Sequence, residues 1–374
     1  MLRSEAGLQT SVHLRLEAEL LLSCAGADVS DHHAARFQAL LRETLDWDDV
    51  IELAMQHGVL PLLYWHLDHA DSSLVPEAVY EQLRTYFYAN KLHNTRLTDK
   101  LLNLLRQFEA HGITAVPFKG PALAVAAYGN LTLRQFGDLD ILVQERDCGA
   151  AMRMLVSQGF RLKSHALNVQ QEMVHLSRCA YSFIHDADGI SVDLHWGITA
   201  AMEYPDRAFV LPLDTVQVWE RLESLSLSGT RVPSFAPEDL LLMLCIHGSK
   251  HCWERLGWLC DIALLIHAYP EAPWPQIRSR ASRLGCRRML DLGVLLAHTV
   301  CGVALPEPVL QQVRTEAVVQ SLARAVERGW FASVESEMGM VARSRFYVRM
   351  RERWWDKVQY GVLLAKLVMR RGRM

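Results

Sequence analysis

Two aspartates separated by one residue give the strongest chemical signal in the chain. Asp138 and Asp140 lie in the apolar run DLDILV (138–143), which has the composition of a β-strand. Because side chains alternate along a strand, both carboxylates leave the same face, and the apolar residues between and after them can pack on the other. Neighbouring carboxylates repel each other unless a cation lies between them. The pair therefore predicts a site for Mg²⁺, or for Mn²⁺.

A third carboxylate is available on a later predicted strand. In ISVDLHW (190–196), the side chains of Ser191, Asp193 and His195 share one strand face. If this strand lies beside 138–143, Asp193 joins Asp138 and Asp140. Three carboxylates could hold two metal ions, which stabilise both the attacking and the leaving oxygen of an in-line displacement.

The residues just before the aspartate pair are suited to binding phosphate. In FKGP (118–121), Gly120 allows a tight turn and Pro121 suits the first position of a helix, so free backbone N–H groups could face an anion. Lys119 adds a compact positive charge. Arg134 offers a planar fork for phosphate oxygens. We expect these residues to bind the phosphates of a donor molecule.

Together these motifs resemble the DNA polymerase beta-like nucleotidyltransferase superfamily, and within it the bacterial branch called nucleotidyltransferase family proteins. The resemblance implies an α+β fold with a small mixed β-sheet core. It implies that Asp138 and Asp140 bind Mg²⁺, that Asp193 is the third carboxylate, and that Lys119 and Gly120 hold the triphosphate of an NTP such as ATP. The stretches that carry the resemblance are 47–67, 118–143, 192–198 and 238–265.

The chain departs from the superfamily at the phosphate turn, which motivates two alternative functions. The superfamily has a Gly-Ser pair closer to its aspartates, whereas here the turn is Lys-Gly-Pro and 17 residues separate Gly120 from Asp138. One alternative is an enzyme with the same site that transfers another phosphorylated group. The other is a nucleotide-binding or scaffold protein without catalysis, which three intact carboxylates disfavour.

Three histidines are candidates for the acceptor site. His195 shares the strand face of Asp193, and His247 and His251 are four residues apart on one face of a predicted helix. This spacing also suits Zn²⁺, but the Glu that a zinc hydrolase needs does not follow His247. We predict that His247 and His251 line the cleft or have a structural role. His195 is expected either to lie near the metals or to be an ordinary, hydrogen-bonded histidine that is half-buried. The acceptor, a hydroxyl or phosphate on a small molecule, saccharide or peptide, is not specified by the sequence, and nucleic acid is less favoured.

The predicted elements divide the chain into three regions. Residues 1–111 form a helical region, with helices expected from the Asp46 cap to Gly58 and from Pro76 to Gly112. Residues 112–236 form the α/β core. From Pro237 the chain is helical again, so 237–374 form a third region that ends in a basic amphipathic helix.

The overall charge hides an uneven distribution. The 374 residues carry a net charge of -3, but residues 343–374 alone carry +8, which leaves -11 for the rest. In the terminal segment, Arg345, Arg349, Arg353 and Lys357 repeat at helical spacing. This segment could contact an anionic membrane surface or another polyanion, or pack as an ordinary helix with a charged outer face.

The remaining composition is typical of a soluble intracellular protein. The eight cysteines show no C-x-x-C pair, the N-terminus lacks the apolar core of a signal peptide, and no apolar run is long enough to span a membrane. We therefore expect a cytoplasmic protein, with peripheral membrane contact through the basic C-terminus as an option.

Overall fold

The computed structural model describes residues 15–25, 31–70, 72–163, 180–197, 215–330, 340–358 and 360–362. Seven β-strands are present in this part of the chain: β1 (Ala115–Pro117), β2 (Asp138–Val143), β3 (Phe160–Leu162), β4 (Ala180–His185), β5 (Ser191–His195), β6 (Glu223–Leu227) and β7 (Thr230–Ser234).

The described α-helices are α1 (Leu16–Cys24), α2 (Asp31–Leu40), α3 (Trp47–His57), α4 (Leu60–Asp68), α5 (Glu77–Ala110), α6 (Gly120–Tyr128), α7 (Cys148–Ser157), α8 (Thr215–Glu220), α9 (Pro237–Lys250), α10 (Leu256–Ala268), α11 (Trp274–Leu284), α12 (Arg287–Cys301), α13 (Glu307–Thr315), α14 (Ala317–Gly329) and α15 (Met340–Met350). Short 3₁₀ helices occupy Ser72–Leu74 and Glu145–Asp147.

A mixed five-stranded sheet forms the centre of the fold, as the sequence predicts. Its strand order is β1-β2-β5-β4-β3, and β2 and β5 are its parallel pair, while the other three pairings are antiparallel. The architecture is therefore α+β, with helices before and after a small sheet.

Local sequence signals account for the helix boundaries near the site. The Asp46 side chain accepts a hydrogen bond from the Asp49 amide at the start of α3, and Gly58 ends that helix in the left-handed conformation. Pro121 lies in the first turn of α6, and Gly129 ends it with a φ of 63°. These ends match the predicted ones because the capping chemistry is local.

The second half of α5 and α7 contribute to the core that supports the sheet. Leu97, Leu101, Leu104 and Phe108 recur at helical spacing along α5 and are fully buried. They belong to one apolar cluster with the inward residues of β2 and β5, such as Leu139 and Val192. This packing leaves the opposite face of these strands free to carry the polar residues.

The β6–β7 hairpin was not predicted from the sequence. Its connection is the two-residue turn Ser228-Gly229, and both residues have positive φ, 47° and 79°. Such turns match the natural twist of a hairpin, and a Ser-Gly pair between short alternating runs is a recognisable signal for one.

The basic C-terminal segment differs from a single continuous helix. α15 ends at Met350, residues 351–353 are not helical, and a further helical turn covers 354–358. The break takes Arg353 out of the predicted row of basic side chains at helical spacing. Its guanidinium instead donates to the backbone carbonyls of Ser282 and Arg283. Residues 363–374, which hold four of the basic residues, lie outside the described part of the chain.

Within the described residues, no helix is both long and apolar enough to cross a membrane. The seven described cysteines are all buried, and none of them forms a disulfide with another described cysteine. Cys179 lies outside the described residues.

Candidate active site

The parallel pairing of β2 and β5 brings the predicted carboxylates together. Asp140 lies directly opposite Asp193 in the register, and Asp138 lies opposite Ser191. The side chains of 138, 140, 193 and 195 share a sheet face, because each strand alternates and the two strands are in register. Two motifs about 50 residues apart in the sequence therefore meet on adjacent strands.

Asp140 is the best-buried carboxylate of this group and has two partners. Its side chain is 5% exposed, and its Oδ1 accepts from Lys119 Nζ at 3.0 Å and from His195 Nε2 at 3.0 Å. Lys119 and His195 in turn contact the ring of Phe118, His195 edge-on at 5.0 Å between centroids. Lys119 of the Lys-Gly-Pro turn and His195 of β5 thus converge on one oxygen atom.

Asp140, Asp193 and His195 form a group that fits a divalent cation. One ligand atom from each lies within 4.8 Å of the other two. Two carboxylates and an imidazole suit first-row divalent metals, and carboxylates also suit Mg²⁺. His195 uses Nε2 to donate to Asp140, and the same nitrogen could offer its lone pair to a cation in the other tautomer.

Asp138 lies beside this group rather than within it. It is half-buried at the start of β2. Burial raises its pKa, and the negative charges of Asp140 and Asp193 raise it further. For Asp140, burial also raises the pKa, but Lys119 and His195 outweigh burial and hold the pKa well below its usual range. Asp138 is therefore within electrostatic reach of both neighbouring carboxylates.

The Lys-Gly-Pro turn packs against the start of β2. Gly120 has a φ of 51°, and a Cβ added there would lie 3.2 Å from the backbone oxygen of Asp138. A glycine is required here because other residues rarely adopt this conformation and because the approach is so close. The 17-residue interval, which forms α6 and a loop, therefore separates Gly120 from Asp138 in sequence but not in space.

Arg134 forms a buried ion pair that the sequence did not predict. Its Nε and Nη2 donate to the two oxygens of Asp261 on α10, at 2.8 and 3.0 Å. The Tyr128 hydroxyl donates to the same carboxylate at 2.8 Å. Arg134 therefore ties the loop before β2 to the C-terminal helices, and its remaining Nη1 group is not part of this pair.

His247 and His251 form an aromatic cluster with Trp258. Their ring centroids are 4.7 Å apart, and each lies 5.2 Å from the Trp258 ring. Burial lowers the pKa of both histidines, that of His251 to about 4, and the positive charge of Lys119 lowers both further. Neither joins a metal-binding group of the described residues. Both imidazoles are therefore uncharged near pH 7.

A cleft that the sequence did not predict lies beside the segment that leads into β2. It has a volume of about 540 Å³, and Gln135, Phe136 and Gly137, the three residues before Asp138, form part of its wall. The remaining lining residues are Met55, Gly58, Leu60, Pro61, Tyr86, Ala89, Asn90, His93 and Arg255. Since they come from three distant parts of the chain, no local pattern points to this cleft.

Comparisons with known proteins identify the family. The model of a family described as "Uncharacterised nucleotidyltransferase" matches residues 43–302. No curated protein matches the chain. Solved structures that are similar include the lincosamide antibiotic adenylyltransferase LnuA with bound lincomycin, at 17% identity and a TM-score of 0.30 over 45% of this chain and 94% of that one. Another is the antibiotic-resistance factor ANT(2'')-Ia, at 12% identity and a TM-score of 0.35 over 51% and 91%. The family match covers more than half of the residues, and the chain therefore belongs to this family of nucleotidyltransferases.

Proposed function

We propose that this protein transfers a nucleoside monophosphate from an NTP to a hydroxyl or phosphate of an acceptor, in a reaction that depends on Mg²⁺ or Mn²⁺. The observation that supports this most is the register of β2 and β5, which sets Asp140 opposite Asp193 beside the Lys119-Gly120 turn. Carboxylates on adjacent strands and a cationic turn meet the two needs of phosphoryl chemistry, which are metal binding and phosphate binding.

Asp140, Asp193 and His195, with Asp138 beside them, would hold the metal. When bound, a divalent cation neutralises the donor phosphates and the charge that develops on them during transfer. The carboxylates of Asp138, Asp140 and Asp193 also position the reacting groups, because each is fixed on a strand rather than on a loop. A two-metal arrangement is part of this proposal.

The reaction begins at the acceptor. An acceptor oxygen attacks the α-phosphorus of the NTP, and the bond from that phosphorus to the bridging oxygen of pyrophosphate breaks. The electron pair of the broken bond leaves with pyrophosphate, and Asp193 takes the proton of an acceptor hydroxyl. Transfer to water would follow the same course. A phosphate acceptor would attack in the same way, but a phosphate dianion has no proton to remove.

Lys119, Gly120 and Arg134 would bind the triphosphate. Lys119 has three N–H donors, so it can keep its contact with Asp140 and also donate to a phosphate oxygen. The backbone N–H groups at the start of α6 are available to an anion. Arg134 retains Nη1 for a phosphate while Asp261 fixes its orientation.

The mass of the product tests this proposal. The protein is incubated with each of the four NTPs, Mg²⁺ or Mn²⁺, and extracted small-molecule acceptors, and products are identified by mass spectrometry. We expect adducts that carry a nucleoside monophosphate, with release of pyrophosphate. The double variant Asp138→Asn, Asp140→Asn should form none, whereas Asp186→Asn, an exposed aspartate paired with Arg161, should match the wild type. Full activity in the double variant would refute the proposal.

We also propose that the C-terminal segment contacts anionic membranes, which would place this protein at the membrane periphery. Trp354 and Trp355 stack on each other and are 58% and 61% exposed, next to the exposed Val358. Tryptophan and basic residues are favoured at the surface of anionic bilayers. Cosedimentation with vesicles that contain phosphatidylglycerol, compared with phosphatidylcholine alone, tests this contact. Trp354→Ser with Trp355→Ser should abolish binding, and binding that is unchanged would refute it.

A further inference from the structure

The cleft lies beside the segment that leads into β2, the strand that carries Asp138 and Asp140. Its wall ends at Gly137, and Asp138 follows directly. Its volume, about 540 Å³, is within the range of pockets that bind small molecules. Residues of α3, α4 and α5 form one side, the approach to β2 forms another, and Arg255, just before α10, closes it. Phe136 of this wall also packs against the Lys-Gly-Pro turn, because its ring lies 3.7 Å from the position that a Cβ on Gly120 would take. The cleft therefore lies next to the proposed phosphate site.

Part of the cleft surface is apolar and could pack against an aromatic ring or an aliphatic part of a ligand. Phe136 is buried and Tyr86 is exposed, and Leu60, Pro61 and Met55 line the cleft with them. Among the described residues that line it, none is acidic. A polycationic acceptor would find no counter-charge there, and desolvating its ammonium groups would oppose binding.

The charged side chain of the cleft, Arg255, favours binding of an anion. Arg255 is exposed and has a cation–π contact with Trp258 at 5.9 Å, and it forms no ion pair with the described acidic residues. The close packing of α10 on α3 fixes the backbone near Arg255, because a Cβ on Gly257 would lie 3.1 Å from the His57 carbonyl oxygen. Burial lowers the pKa of the nearby His251 most, and the positive charges of Lys250, Lys119, Arg255 and Arg343 lower it further. Among the described residues that line the cleft, Arg255 is the one with a permanent charge.

We propose that this cleft is the acceptor site and that the acceptor is an anionic molecule, whose carboxylate or phosphate binds Arg255 while a ring or aliphatic face packs on Phe136 and Tyr86. The inference rests on the proposed nucleotidyl transfer, since it assigns the second substrate of that reaction. Arginine suits this role because its planar fork donates two parallel hydrogen bonds to a carboxylate or phosphate.

Binding of matched aromatic probes tests this inference without turnover. Four probes share a nitrophenyl ring: 4-nitrophenyl β-glucoside, which is neutral, 4-nitrophenyl β-glucuronide, 4-nitrophenyl phosphate, and 4-nitrophenyl β-glucosaminide, which is cationic. Dissociation constants are measured by NMR titration of the full chain. We expect one or both anionic probes to bind at least tenfold more tightly than the neutral one, and the cationic probe to bind more weakly than the neutral one. A preference for only one anionic probe identifies carboxylate or phosphate as the natural group.

Three variants localise the effect. Arg255→Gln should abolish the preference for anions, and Tyr86→Ser should weaken all four probes while keeping the preference. Arg153→Gln is the control, because Arg153 is exposed on α7 and does not line the cleft. No measurable binding of either anionic probe at 10 mM (about tenfold above the upper end of usual KM values), tighter binding of the cationic probe, or an unchanged preference in Arg255→Gln would each overturn the inference.

ATP binding in the same samples separates this inference from the proposed function. We expect Arg255→Gln to bind ATP with metal as the wild type does, because Arg255 lines the cleft and is not among the residues proposed to bind the triphosphate. If the wild type binds ATP but the probes show no anion preference, the acceptor assignment alone fails. If the wild type binds neither ATP nor metal, the proposed function fails. The probe data then still show whether the cleft prefers anionic ligands.

Discussion

Lys119 and Asp140 form an ion pair of 3.0 Å within the group of side chains that fits a divalent metal. The lysine ammonium thus donates to an oxygen of Asp140, and a metal ion at this site would also need that carboxylate as a ligand. Both cations neutralise the same charge, so they oppose each other at short range. Lys119 should therefore weaken metal binding in the absence of nucleotide and strengthen binding of the triphosphate.

Replacing Lys119 with methionine should separate these two effects. We expect Lys119→Met to bind Mn²⁺ about tenfold more tightly, because the carboxylates lose their internal cation. We expect its affinity for ATP with Mg²⁺ to fall about tenfold, because a phosphate contact is lost. Electron paramagnetic resonance measures free Mn²⁺, and calorimetry measures ATP binding. Weaker Mn²⁺ binding in this variant would contradict the competition.

Gly120 should be intolerant of a side chain for two separable reasons. Alanine at a φ of 51° costs about 1–2 kcal/mol in backbone conformation, and its Cβ would also press on the Asp138 carbonyl at 3.2 Å. Gly129 is the matched control, since it has a φ of 63° and a Cβ there would meet nothing within 4 Å. We expect Gly120→Ala to lower the free energy of unfolding more than Gly129→Ala does, and to weaken ATP binding, which Gly129→Ala leaves unchanged. Equal effects of the two variants in urea unfolding and ATP titration would argue against a tight turn at the phosphate site.

The sequence predicts the parts of this site that depend on local patterns. The alternation in DLDILV and ISVDLHW is a property of a single strand, and it places Asp138, Asp140 and Asp193 on polar faces before any pairing is known. The Lys-Gly-Pro turn is likewise local, and α6 begins where it predicts. The sheet register that joins the two strands follows from burying their apolar faces on α5 and α7.

Contacts between distant segments could not be predicted in this way. Arg134 has the composition of a phosphate ligand, but its pairing with Asp261, 127 residues later, depends on where α10 packs. The cleft next to Asp138 combines α3, α4, α5 and Arg255, so it exists only once the helical regions meet the sheet. The strand face of His195 is predictable from the sequence, but its contact with Asp140 depends on the pairing of β2 and β5.

The Arg134–Asp261 pair should contribute strongly to stability because it is buried. Their side chains are 11% and 3% exposed, and removing one charge leaves the other without a partner in the protein interior. We expect Asp261→Asn to lower the free energy of unfolding by about 3–5 kcal/mol, measured in urea. In the exposed pair of Arg161 and Asp186, Asp186→Asn should cost less than about 1 kcal/mol. Similar costs for the two variants would mean that Asp261 is not confined as its burial indicates.

His57 should make the stability of the fold depend on pH between about 4 and 6.5. Its Nε2 donates to the Trp330 carbonyl at 3.1 Å, while its Nδ1 accepts from the Leu256 amide, so both ring nitrogens are used by the neutral form. Burial, opposed in part by the hydrogen bond to Trp330, lowers its pKa from 6.5 to about 4. Below pH 6.5 the unfolded chain binds a proton that the folded chain excludes. The contribution of the neutral His57 to the free energy of unfolding is therefore fully present above pH 6.5 and is lost as the pH falls towards 4. The difference amounts to at most about 3 kcal/mol. His57→Gln should reduce the pH dependence of urea unfolding in this range, to which the buried His247 and His251 also contribute. His111→Gln, at an exposed position, should leave it unchanged. An unchanged slope in His57→Gln would show that other groups carry the pH dependence, and would rule out a buried neutral His57 as its cause.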